Sequence, residues 1–299
     1  MKDKAWTGRT GGSGWMQQTL IRWFRHIDTR WCYWIVVLWV PGSMLFQPNA
    51  TRGAWRYWRQ RQHKRFFAAV WCLLRQYYAF GDVILDRFAA YAGQPFDIQI
   101  DDPDNTMSRL QQSDNAGIVI STHVGNQELA GYCIPSVKPM RVVLYLGDTP
   151  TVNANRERLF AEKGLSFIPM QPDGSHIFEM HEALQRGEIL SIHGDRLFYG
   201  GRAMRAQLLG AQASFPEGPY RVAALERVPV MTMFMIREGH KRYTLHIRSL
   251  SREGDDQLGN AQLAQNLLER FAAELEQMLA KRPEQWFHFY DFWETEKTK

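Results

Sequence analysis

The run Ala116-Gly117-Ile118-Val119-Ile120 carries no polar side chain. So short an unbroken apolar run suits a strand buried on both faces. It leads straight into Ser121-Thr122-His123-Val124-Gly125-Asn126-Gln127-Glu128, and Leu129 to Ile134 can then continue as a helix. A buried strand that ends in a His, with a carboxylate in the next turn, points to an α/β protein. In such proteins ligands bind at the carboxyl edge of the sheet, on loops that a rigid scaffold positions. His is the natural general base near neutral pH. Of the nine His, only His123 has an acidic residue five positions on. Glu128 would hold the far ring nitrogen and stabilise the imidazolium. The plainer alternative is a loop His followed by a solvated Glu.

The chain beyond Gly93-Gln94-Pro95 supports that architecture. Apolar runs at 96–100, 118–121, 141–146, 165–170, 189–193, 228–236 and 243–250 predict strands. Helical patterns lie between them near 126–134, 153–163, 175–186, 217–226 and 258–281. This alternation predicts a mixed sheet flanked by helices. Upstream, 55–91 reads as one long helix with Gly81 as a possible break. No internal repeat or low-complexity tract occurs.

The first 66 residues differ in charge. They hold twelve Lys or Arg and two acids, a local +10, while the remainder carries −5. Within them, 31–46 is free of charge and contains three Trp, yet it is shorter than the ~20 residues that span a bilayer, and Pro41-Gly42 interrupts it. Basic flanks on both sides suit a segment that dips into the cytoplasmic leaflet or lies in the interface. The alternative is a buried core helix. We therefore expect a membrane-associating segment over 1–54 and a catalytic domain over 55–299. No nucleic-acid motif accompanies the basic face, and no nucleic-acid partner is expected.

Cys32, Cys72 and Cys133 are far apart and odd in number, with no Cys/His cluster, so neither a structural metal nor a disulfide framework is expected. Nucleophile-elbow, dinucleotide-binding and P-loop strings are absent.

Three further stretches offer polar groups at turn positions. Leu190-Ser191-Ile192-His193-Gly194-Asp195-Arg196 ends a buried strand and reaches the edge of His123 if the two strands run parallel; an internal Asp–Arg pair closing a loop is the alternative. Phe215-Pro216-Glu217-Gly218-Pro219 is a tight entry to a helix whose amino terminus suits an anion or a simple cap. Thr151 to Arg156 is a loop-to-helix entry with Asn153 and Arg156.

In this order the motifs resemble the bacterial lipid A biosynthesis (lauroyl/myristoyl) acyltransferases, within the lysophospholipid acyltransferase superfamily. They are His123-x4-Glu128, Asn153 to Arg156, Gly194-Asp195-Arg196, Leu209-Gly210 through Pro219, Pro229-Val230 and Pro283-Glu284-Gln285-Trp286. The Gly194-Asp195-Arg196 form and the amino-terminal Trp6 and Gly12-Ser13 look closer to a branch of glycolipid or aryl-polyene-linked acyltransferases. The resemblance implies an αβα acyltransferase fold held at the cytoplasmic face of the inner membrane, with no cofactor and no metal. It implies an acyl carrier protein or other acyl thioester donor and a lipid or glycolipid acceptor. The catalytic residues it implies are His123, Glu128, Asp195 and Arg156, the last as oxyanion stabiliser. Asn126, Asn153, Arg196, Phe215 and Gly218 would bind substrate. With no nucleophilic Ser or Cys beside the pair, attack on the thioester would be direct. A lipid hydrolase or thioesterase, and a non-catalytic lipid-binding protein, are the competing classes.

Overall fold

The structure is a computed structural model that describes residues 14–133, 138–144, 157, 160–171, 173–197 and 201–293. Seven strands form one sheet: β1 (Asp97–Asp101), β2 (Gly117–Gly125), β3 (Met140–Leu144), β4 (Leu165–Pro169), β5 (Ile189–His193), β8 (Val230–Gly239) and β9 (Arg242–Ser249). Their order is β1-β9-β8-β2-β5-β3-β4. The block β8-β2-β5-β3-β4 is parallel, and the β8–β9 pairing is antiparallel. All seven lie where the apolar runs predicted strands.

β2 sits in the middle because its residues suit burial on both sides. Ile118 and Ile120 face one apolar cluster and Val119 the other. The first cluster holds α9 (Asn260–Lys281), which inserts Leu263, Leu267, Leu268, Phe271, Leu275 and Leu279 at helical spacing. The second holds Leu129 and Ala130 of α6 (Gln127–Cys133) and Leu110 of α5 (Thr106–Gln112). α7 (His176–Gln185) packs beside β4 and β5.

A pairing the sequence reading missed is the antiparallel hairpin of β6 (Ala203–Leu208) and β7 (Ala211–Pro216). Its two-residue turn is Leu209-Gly210, both at positive φ (49° and 73°), the geometry that matches strand twist in tight hairpins. A Leu at the first turn position concealed it. β7 leads directly into α8 (Glu217–Glu226).

The helix predicted over 55–91 is divided. α3 (Pro48–Arg56) and a π turn (Tyr57–Arg61) precede α4 (Phe66–Tyr91), and the chain turns between them at His63, where φ is +49°. Gly81 is not a break. A side chain there would come within 2.3 Å of Val36, so its absence lets α2 (Tyr33–Phe46) lie against α4. Tyr33 meets Asp86, and Val36 meets Gly81, so the two helices run antiparallel. α2 passes through Pro41 without stopping. At 14 residues it is about 21 Å long, against a hydrocarbon core of about 30 Å. Among the described residues no helix is long and apolar enough to cross a membrane. α1 (Gly14–Phe24) buries Phe24 against Phe88 and Ala89 at the far end of α4.

The β2–β8 register slips between Ser121 and Gly125, where β2 bulges away from its neighbour. Gly125 makes the bulge possible: its φ is +71°, and a β-carbon would lie 1.9 Å from the Met235 carbonyl oxygen. Gly125→Ala should therefore lower the unfolding free energy by roughly 2–4 kcal/mol. Gly218→Ala, in open space, should change it by less than about 1 kcal/mol. Chemical denaturation compares the two, and equal effects would contradict the account of the bulge.

Candidate active site

β2 and β5 are parallel, so their carboxyl ends emerge together, and Ser121 lies opposite His193 in the register. Two residues past that pair come His123, still within β2, and Asp195, just beyond β5. The imidazole Nδ1 of His123 is 2.7 Å from Asp195 Oδ1, and the backbone N–H of His123 donates to Oδ2 at 2.8 Å. The indole N–H of Trp286 also donates to Oδ2, at 3.1 Å. Asp195 is buried, and its two oxygens accept three hydrogen bonds. Burial works to raise the Asp195 pKa, but the His123 charge and hydrogen bonds outweigh it and hold the carboxyl well below the usual range. An ionised Asp195 fixes the proton of His123 on Nδ1 and leaves Nε2 with a lone pair.

The His123 pKa is pushed down by burial first and then by the Arg196 guanidinium, against the pull of Asp195. A neutral imidazole that becomes charged only on taking a proton is what a general base requires.

Glu128, expected to hold the imidazole, occupies a different place. It accepts from Arg87 Nη1 at 2.8 Å and from the Tyr91 hydroxyl, tying α6 to α4. No hydrogen bond joins it to His123, whose Nδ1 is taken by Asp195. Glu128 is still near enough to contribute a favourable charge to His193.

The other expected site residues separate in the same way. Asn126 is a buried cap: its Oδ1 accepts from Leu129 N at the start of α6, and its Nδ2 donates to Val83 O. Phe215 is fully buried between Phe271 and Phe292. Gly218 lies exposed in the first turn of α8. Arg196 stands beside the pair, half-buried, donating to the Phe287 carbonyl at 3.2 Å and lying 6.0 Å over the Tyr290 ring. Asn153 and Arg156 lie outside the described residues, as does Trp6.

The strap after α9 was quoted above only as a motif, yet it closes the back of the site. Trp286 bridges Val124, Phe287 N donates to His123 O at 3.0 Å, and the Tyr290 hydroxyl donates to Asp195 O at 3.1 Å. Gln76 of α4 holds the strap by donating to the Trp286 carbonyl at 2.7 Å. Beneath Trp286, His288 is buried among aromatic rings, 3.8 Å from the Trp286 ring centroid, and neither of its nitrogens makes a well-formed hydrogen bond. The local sign of that burial is the aromatic run on either side of it, Trp286-Phe287 and Phe289-Tyr290.

His123, His193 and Asp195 offer ligand atoms within 4.8 Å of one another, the spread of a loose cation site. Asp195 is committed to His123 and Trp286, and the Nδ1 of His123 faces the carboxylate, which leaves the imidazole Nε2 atoms as the uncommitted ligand atoms of the group. No Ser or Cys among the described residues hydrogen-bonds to His123.

The parallel strands of this α/β fold thus bring a His–Asp pair together at the carboxyl edge of the sheet. The sequence profile described as bacterial lipid A biosynthesis acyltransferase matches residues 90–295. The chain belongs to that family and is an acyltransferase, with an acyl donor and a lipid-type acceptor. No individual curated protein matches it.

Two outcomes follow from this geometry. Trp286→Phe keeps a ring in place but removes the N–H on Asp195, so kcat should fall by about five- to tenfold with the KM for the acyl donor unchanged. A wild-type kcat would count against the strap's role in positioning. Separately, burial pushes His193 and His288 down to about 3 from an ordinary 6.5. As pH falls through about 6.5 the unfolded chain takes up protons that the folded chain refuses, so stability declines from there toward pH 3. His288→Phe should blunt that decline and add about 1 kcal/mol at neutral pH by removing the unpaired nitrogens. Denaturation across a pH series checks both, and an unchanged slope in the variant would contradict the assignment.

Proposed function

We propose that the chain moves a fatty acyl group from an acyl thioester, acyl carrier protein being the natural donor, to a hydroxyl or amine of a lipid or glycolipid, with His123 as general base and Asp195 as its partner. The observation that carries this reading is the 2.7 Å contact between His123 Nδ1 and Asp195 Oδ1, with no partner on Nε2 among the described residues.

The acceptor hydroxyl gives its proton to His123 Nε2 as its oxygen attacks the thioester carbonyl. A C–O bond forms, and the carbonyl oxygen takes up the electron pair. Asp195 stabilises the imidazolium. Collapse of the tetrahedral intermediate breaks the C–S bond, and the thiolate recovers the proton from His123. The developing oxyanion lies in the field of Arg196; one such donor is worth about 3 kcal/mol. Attack by water on the same thioester would make the enzyme a hydrolase, and exclusion of water by the bound lipid is what separates the two.

The membrane reading has its own support. α2 leaves Trp34, Leu38 and Phe46 exposed, at 73%, 81% and 87%, and the first turns of α4 add Phe66, Phe67 and Trp71. Exposed aromatics and leucines of this number are rare on a free surface. Arg30 in the turn before α2, and Arg59, Lys64 and Arg65 ahead of α4, flank these helices. This composition fits a monotopic helix pair resting in an anionic leaflet, the cytoplasmic face of the inner membrane. The basic segment also suits the acidic surface of a carrier protein. The apolar surface thus extends past residue 54 into α4.

Asp195→Asn and His123→Ala should each lower kcat by roughly 10³-fold or more. Glu128→Gln should cost less than about tenfold, with its larger effect on stability through α4 and α6. Rates measured on the folded variants decide this; a Glu128→Gln loss as deep as that of Asp195→Asn would overturn the pairing. A Trp34→Ser/Leu38→Ser/Phe67→Ser variant should partition at least about tenfold less onto anionic vesicles. Unchanged sedimentation would rule this surface out as the docking face.

A further inference from the structure

The mechanism above makes no use of His193, although its ring lies over that of His123, with centroids 4.4 Å apart and planes 34° from parallel. Its tautomer follows from its neighbours. Ser121 Oγ stands 3.2 Å from the Ile192 carbonyl and 2.9 Å from His193 Nδ1. The carbonyl only accepts, and the hydroxyl has a single hydrogen. Both contacts are satisfied in one arrangement: the hydroxyl donates to Ile192 O, and His193 Nδ1–H donates to Oγ. Burial and the neighbouring His123 keep the ring neutral, so its only N–H is on Nδ1 and its Nε2 carries a lone pair.

His123 reaches the same state through Asp195. Two neutral imidazoles, ring over ring, therefore each hold an acceptor nitrogen in reserve. Neither Nε2 has a partner among the described residues, and neither is sealed from solvent, unlike both nitrogens of His288. Proton removal needs only one of these lone pairs. Because His193 stays neutral, the imidazolium that forms on His123 meets no like charge from the ring above it.

We propose that His193 is a substrate-positioning residue whose Nε2 accepts a hydrogen bond from a second O–H or N–H of the acyl acceptor, next to the group that His123 deprotonates. This rests on the reading of His123 as the base of acyl transfer, and it narrows the acceptor. Two adjacent acceptors in the protein fit two adjacent donors in the ligand, as in the diol or amino alcohol of a sugar headgroup, rather than an isolated alkyl hydroxyl.

The test uses the purified full-length chain in detergent, lauroyl acyl carrier protein as donor, and two acceptor probes of equal alkyl length, octyl glucoside and 1-octanol. Wild type should favour the glucoside in kcat/KM by about tenfold, the worth of one good hydrogen bond. His193→Phe keeps the stacked ring and should bring that ratio close to one through the KM for the glucoside. His193→Gln, whose side-chain carbonyl accepts, should restore part of it. Nitrogen-15 shifts in labelled wild type should mark Nδ1 as the protonated nitrogen of His193. Equal use of the two probes by wild type, an unchanged ratio in His193→Phe, or a proton on Nε2 would each overturn the proposal. If neither probe is acylated while thioester hydrolysis still depends on His123, the proposal falls and the reading of His123 stands. If His123→Ala turns over the thioester as fast as wild type, that reading falls and takes the proposal with it.

Discussion

Asp195 is a carboxylate placed where water cannot solvate it, and the surrounding chain is arranged to make that tolerable. An unpaired buried charge costs several kcal/mol. Here the solvation is replaced by three donors: the ring and the backbone of His123 and the indole of Trp286. Each comes from a different constraint. The backbone donor is in reach because β2 bulges at Gly125. The carboxylate reaches β2 because Gly194, with Ile120 and Tyr220 packed where a side chain would go, lets β5 pass close. The indole is there because α9 ends and the strap returns across the sheet.

That arrangement links stability to chemistry. The hydrogen bonds that compensate the buried charge also set the tautomer of His123, so the same contacts fold the edge of the sheet and prepare the base. The strap ties the site to α4 through Gln76, and α4 carries α2 on Gly81. The His123–Asp195 pair is thus connected through packed elements to the exposed aromatic surface. On the proposal that this surface docks on lipid, its orientation there would also orient His123 toward a lipid-borne acceptor.

Much of this was legible in the sequence for a simple reason. Central parallel strands such as β2 and β5 need apolar residues at consecutive positions, and that signal is local, while β1 and β9 show apolar residues in alternation. The family resemblance rested on motif order and agrees with the profile match over residues 90–295. The pairing within the site was less legible. His123 and Glu128 are close in sequence, which made them look like partners. Asp195 is 72 residues away, and only the parallel pairing of β2 and β5 brings it to the ring. Trp286 and His288 are more remote still, and their places depend on the path of the strap. Asn126 and Phe215 drew attention as polar-loop and motif residues, yet one caps a helix and the other fills the core. The β6–β7 hairpin escaped because Leu209 occupies a turn position usually given to Asn, Asp or Gly.

The central claim is that Asp195, not Glu128, holds the imidazole of His123. The most direct measurement is the proton NMR spectrum of the full-length protein, followed for the His123 Nδ1–H resonance in wild type, Asp195→Asn and Glu128→Gln. A ring proton hydrogen-bonded to a buried carboxylate should appear far downfield and exchange slowly. The account predicts that it is present in wild type and in Glu128→Gln and lost in Asp195→Asn. A resonance that survives in Asp195→Asn and disappears in Glu128→Gln would contradict it.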